Sequence, residues 1–216
     1  MRPVTPTKRR NSGTVVSILV RCVAGAVLAT AVLTSCTSTD EGQAYVVPTA
    51  ESSASQSAKA AGLPGRPSEL VLTGVDPCTL LTSDQLDQLK VNSKPRQAKE
   101  FADGPSCSFD VDLTKPYYSY GITAVTNADL DAWLTGDRRK NSMTTEPAAV
   151  GGFPALTYFR SSSDPSDCQT LVGVAAGQTM TVQAFPVTPG AFSQQQLCDL
   201  SGRAADLALQ TLKAHG

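Results

Sequence analysis

The chain is constrained first by a short motif, Leu33-Thr34-Ser35-Cys36, which closes an apolar run with a cysteine preceded by small residues. Upstream lie Lys8, Arg9, Arg10 and Arg21 without any acid, and the apolar stretch from Cys22 to Leu33 has the length of a signal-peptide core. A spanning helix needs about 20 apolar residues, and Arg21 interrupts the longer run from Val15 to Leu33. Residues 1–35 therefore read as a lipoprotein signal peptide, with a retained anchor helix as the second choice. Arg9-Arg10 reads as ordinary basic charge, because no apolar pair follows it closely as in a twin-arginine signal. Leu33 and Ser35 stand where lipoprotein processing requires them, so Cys36 is expected to open the mature chain and to carry lipid. The expected location is the extracytoplasmic face of the cell membrane, where disulfides form.

That compartment decides how the cysteines are read. Cys22 leaves with the signal and Cys36 is acylated, so Cys78, Cys107, Cys168 and Cys198 remain as two disulfides. Sequence neighbours close most easily, which favours Cys78 with Cys107 and Cys168 with Cys198. Each such loop contributes about 3 to 4 kcal/mol in the chain-entropy description. Zinc is the rival reading, but the four cysteines are scattered without a C-x-x-C, and the single histidine is His215 near the C-terminus. No cofactor is expected.

Charge narrows the partners. All 19 acidic residues follow Cys36, while five of the 18 basic ones precede it, so the mature chain carries a formal charge of −6. Nucleic acid demands a basic face and is not expected as a partner. Contact with the membrane is expected through the lipid alone. Residues 36–69 are rich in Ser, Thr, Ala, Gly, Pro and Gln and cannot bury enough apolar surface to offset their ordering entropy, so they read as a flexible tether. Residues 70–216 are expected to form one domain.

Within that domain Thr82 and Gln85 form a capping box ahead of a short helix carrying Leu86 and Leu89. Residues 92–104 are polar, contain Pro95 and run into Asp103-Gly104-Pro105, and read as a loop or an irregular edge. Cys107 to Leu113 alternates apolar and polar residues, which predicts a strand with Phe109, Val111 and Leu113 inward and Asp110 and Asp112 toward solvent. Further strands are expected over residues 120–125, 155–160, 168–175 and 179–185, the last two joined by a hairpin at Gly177. Asn127 is expected to cap a helix over residues 128–134, with the single tryptophan, Trp133, in the core. Residues 137–141 read as a solvated basic loop. A long helix from about residue 189 or 193 to 213 carries Leu197, Leu200, Ala204, Leu207, Ala208 and Leu212 on one stripe. Gly202 inside it suggests close packing or a bend.

Asp76-Pro77-Cys78, Leu80-Leu81-Thr82, Cys107, Val150-Gly151-Gly152-Phe153-Pro154-Ala155, Cys168 and Cys198 occur in an order and spacing that resembles an actinobacterial lipoprotein family, domain of unknown function 3558. Phe109 departs from the family, which often has Trp soon after the second cysteine. The resemblance implies an α+β fold, an antiparallel β-sheet flanked by helices as in PsbP-like proteins, and carries no catalytic residues. The expected architecture is thus α+β with two disulfides and a long C-terminal helix packed on the sheet.

The chain holds no nucleophile elbow, zinc-protease motif, dinucleotide fingerprint or phosphate-binding loop, so an enzyme is not expected. A lipid-anchored binding or accessory protein of the cell envelope is, with an envelope protein or a small envelope ligand as partner. A structural envelope protein, and after it a carboxylate-dependent hydrolase, are the alternatives. Since the inward face of the sheet is consumed by core, a binding rim is expected at the loops 103–106 and 150–154, with Gly151 and Gly152, and near Tyr117 and Tyr118.

Overall fold

The computed structural model describes residues 62–99, 101 and 103–215. The expected signal peptide, Cys36 and most of the expected tether lie outside the described residues. Seven antiparallel strands form one sheet: β1 (Arg96–Ala98), β2 (Ser106–Val111), β3 (Tyr118–Val125), β4 (Thr144–Val150), β5 (Phe153–Phe159), β6 (Cys168–Ala175) and β7 (Gln178–Pro186). Their spatial order is β1-β2-β3-β7-β6-β5-β4. Among the described residues three α-helices accompany it, α1 (Ser83–Gln88), α2 (Asp131–Leu134) and α3 (Gln194–His215).

Alternation along the strands divides the sheet into two unlike faces. On the first, Cys107, Phe109 and Val111 of β2 join Tyr118, Tyr120, Ile122 and Ala124 of β3 in a core closed by Ala204, Ala205, Ala208, Leu209 and Leu212 of α3. Alanines on the facing side of α3 let the helix axis come close to the sheet, and nearly every residue of this layer is buried. Both disulfides belong to the same face. Cys78–Cys107 ties the turn Pro77–Thr79 to β2, and Cys168–Cys198 ties β6 to α3, as the spacing predicted. Beside the second bridge, the Thr170 and Ser201 hydroxyls share a buried hydrogen bond of 2.9 Å.

The capping box forms as expected, with the Gln85 backbone donating to Thr82 Oγ1 and the Thr82 backbone to Gln85 Oε1. Gln85 has a second task. Its Nε2 donates to the Leu207 carbonyl and its Oε1 accepts from Thr211 Oγ1, so one amide both starts α1 and fastens it to α3.

Several local expectations are corrected. β2 ends at Val111, and Leu113 lies outside it, 75% exposed, because Asn92 Oδ1 accepts from the Asp112 and Leu113 amides and turns the chain away. Residues 92–104 supply one edge of the sheet through the short β1, whereas the other edge strand, β4, was not anticipated; it contains Pro147, which an edge tolerates because that side of the ladder has no partner. Asn127 does not cap α2, which begins only at Asp131 and has no side-chain cap; Asn127 Oδ1 instead accepts from Arg138. Arg138 is not a solvated loop charge. It lies over the Trp133 ring at 4.9 Å and donates to Asp103 Oδ1 at 2.7 Å. Gly202 does not need its hydrogen, since a methyl there would come only within 3.9 Å of Thr170 Oγ1, an ordinary contact.

The domain boundary also moves. Leu63 is buried among Leu130, Trp133 and Leu171, and the Leu70 amide donates to the Val174 carbonyl at 2.8 Å. Between them Arg66 donates to Glu69 and to Asp129, each at 2.7 Å, and Glu69 accepts from the Ala176 amide. Residues 63–69, expected in the tether, are therefore an arm docked on the β6–β7 turn and α2.

Candidate functional site

The second face of the sheet is built from the polar half of each alternation. Reading across the ladder gives one row of Ser108, Gly121, Gln183, Gln169 and Tyr158, and the next of Ser106, Thr123, Thr181, Leu171 and Leu156. The β5 end of both rows is covered by the cluster of Leu63, Leu130 and Trp133. The middle is not. There a cleft of about 200 Å³ is lined by Phe101, Asp103, Gly121, Thr123, Gln169, Thr181 and Gln183. It adjoins a more open trough of about 440 Å³ bounded by Phe101, Ser166, Asp167, Gln183 and Phe185.

Gly121 is what allows Phe101 to stand there. A Cβ at this position would meet the ring, with Phe101 Cε2 at 2.9 Å, so the bare backbone of β3 serves as the ring's seat. Phe101 also faces Phe185, with ring centroids 6.4 Å apart. Polar groups in the cleft are held by one another. Gln183 and Gln169 donate to Asp167 Oδ2 at 2.7 and 3.2 Å, and Ser166 Oγ donates to Asp167 Oδ1. Thr123 Oγ1 bonds Ser106 Oγ at 2.9 Å. Each glutamine amide also carries an oxygen that can accept and a second N–H that can donate.

On this face two hydroxyls are left over. Thr181 Oγ1 and Tyr158 Oη are shielded from solvent and have no hydrogen-bond partner among the described residues. Tyr158 is only 4% exposed and sits next to Gln169 on the same face. Burial pushes its hydroxyl pKa up; Arg160 works against this, and the charges of Asp103 and Asp167 reinforce it. Unpaired buried hydroxyls are costly to a fold and need an explanation, of which an incoming ligand group is one.

The residues anticipated for a binding rim are not brought together. Tyr117 is half-buried beside Lys115, at the end of the sheet where β3 begins and β7 finishes. Gly151 and Gly152 form the exposed β4–β5 turn, both at positive φ, beside Lys213 Nζ, which donates to the Gly151 carbonyl. The antiparallel register puts that turn at the opposite end from Tyr117 and at the far edge of the sheet. Tyr118 is no rim residue at all. It is 7% exposed, packs edge-on against Tyr120 and Phe192, and its hydroxyl donates to the Leu89 carbonyl. Of the anticipated loops, residues 103–106 alone border the cleft, through Asp103.

Among the described residues no group of three or more His, Cys, Asp or Glu side chains is placed to hold a metal ion. None of the helices there is long and apolar enough to cross a membrane.

A seven-stranded antiparallel sheet with a long C-terminal helix on one face defines an α+β domain stapled by two disulfides. The chain belongs to the family described as protein of unknown function DUF3558, which matches residues 31–211. No curated protein and no solved structure matches it.

Proposed function

We propose that this chain is a lipid-anchored, extracytoplasmic binding or accessory protein of the cell envelope, non-catalytic, whose polar cleft meets the ligand. The observation that carries the reading is the division of the sheet. One face is sealed by α3 and both disulfides, whereas the other exposes a cleft with hydrogen-bonding capacity that the fold leaves unused. The anchor is supported by Leu33-Thr34-Ser35-Cys36, which lies inside the span matched by the family. Hydrolysis by a carboxylate pair is the less favoured alternative, because Asp103 is engaged by Arg138 and Asp167 by both glutamines.

Cys36→Ala should move the protein to the soluble fraction or leave it unprocessed. Membrane retention at mature length in that variant refutes the anchor. For the cleft, the chain is immobilised and challenged with solubilised envelope, and Gln183→Ala should lower the captured material several-fold. Equal capture by both forms would favour a purely structural envelope role instead.

A further inference from the structure

Resting on the reading of the cleft as a binding site, we infer that its ligand is a neutral saccharide, one ring of which enters between Phe101 and the floor made by Thr181 and Gln183. The argument begins with what the cleft lacks. Among the described residues no lysine or arginine lines the cleft or the trough, so none of them there would hold a phosphate or a carboxylate. The two acids do not offer a free anionic site either, since Arg138 occupies Asp103 and three donors converge on Asp167. What remains is neutral and bifunctional: two amides, each able to offer a carbonyl oxygen and a second N–H beside the bond to Asp167, and a hydroxyl without a partner among the described residues.

Neighbouring hydroxyls of a sugar ring present the matching pattern, because each both donates and accepts. Gln169 and Gln183 are directly paired across β6 and β7, so their amides form one continuous edge that can address adjacent hydroxyls of the same ring. Phe101 and Phe185 supply apolar surface for the C–H face of the sugar. Size agrees. At about 200 Å³ the cleft is smaller than the roughly 300–1,000 Å³ of drug-sized sites, which suits one ring, while the open trough gives a longer chain a way out.

Thr181 provides the sharpest test. Its hydroxyl serves no structural bond, so Thr181→Val removes a binding group without removing a fold contact. The experiment titrates the folded, disulfide-bonded domain with gluco-, galacto-, manno- and arabino-configured tetrasaccharides up to about 10 mM, a range suited to weak binding. The side-chain amide resonances of Gln169 and Gln183 are followed by NMR. At least one sugar should shift both resonances, and Thr181→Val should weaken that sugar by about tenfold, the loss expected for one hydrogen bond, with an unchanged or higher Tm. No shift with any member of the panel overturns the saccharide assignment, as does a shift that Thr181→Val leaves at full strength. Inorganic phosphate and a mixture of neutral hexapeptides are titrated in parallel. If either moves these amides and the sugars do not, the cleft stands as a binding site and the saccharide falls. If envelope extract perturbs only residues outside the cleft, both readings fall together.

Discussion

Two glycines of this chain make opposite demands. Gly121 in β3 is the seat of the Phe101 ring, whereas Gly202 in α3 has room beside it. Gly121→Ala should therefore push Phe101 off the sheet and cost about 1 to 2 kcal/mol of burial, visible as displaced ring resonances and a lower urea midpoint. Gly202→Ala should do the reverse, raising stability by about 0.5 to 1 kcal/mol through helix propensity alone. A destabilised Gly202→Ala variant would show that α3 needs the glycine after all. Residue by residue, legibility followed phase. Tyr118 shares its parity with Tyr120, Ile122 and Ala124, so the sequence already marked it as inward; the neighbouring Pro116 and Tyr117 drew attention to a loop instead. Gln183 and Gln169 were readable as the wet side of a hairpin, but no local pattern distinguishes a wetted glutamine from one that lines a cleft. Phe101 was harder still, because its place depends on a glycine twenty residues away in another element.

At the scale of elements, regular alternation and caps were dependable guides. Cys107-Ser108-Phe109-Asp110-Val111 is a strand in the structure, and Thr82 with Gln85 starts a helix, because in both cases the signal is carried by adjacent residues. β4 was missed since Glu146-Pro147-Ala148-Ala149 interrupts any alternation and owes its strand form to pairing with β5. The joint between α1 and α3 could not be foreseen from spacing at all, for Gln85 and Leu207 are far apart in the chain. Its weight is measurable. Gln85→Ala removes the return bond of the capping box and both links to α3, and should lower unfolding free energy by about 1 to 3 kcal/mol with both disulfides intact. Chemical denaturation checks this, and a loss below about 0.5 kcal/mol would mean that solvent replaces those bonds without penalty.

For the whole molecule, the docked arm sets where the domain begins. A chain starting at Gly62 keeps Leu63 in its cluster and Arg66 on Asp129, whereas one starting at Leu70 loses both. The shorter form should melt several degrees lower, by about 4 °C or more if burial of Leu63 and the Arg66 links together contribute over 1 kcal/mol. Equal melting temperatures would return residues 63–69 to the tether.

The arm and the first disulfide also fix how the domain bears a load. A pull from upstream of Leu63 strips the arm from α2 and the β6–β7 turn one noncovalent link at a time. Peeling stops at Cys78, where the backbone path is bypassed through sulfur to Cys107. Tension then enters β2 directly, leaving α1 and β1 slack, and passes along the β2–β3 ladder to the strand that carries Gly121 and Thr123. A ligand gripped in the cleft would thus be joined to the N-terminus by one short mechanical line, with the remainder of the domain spared the strain.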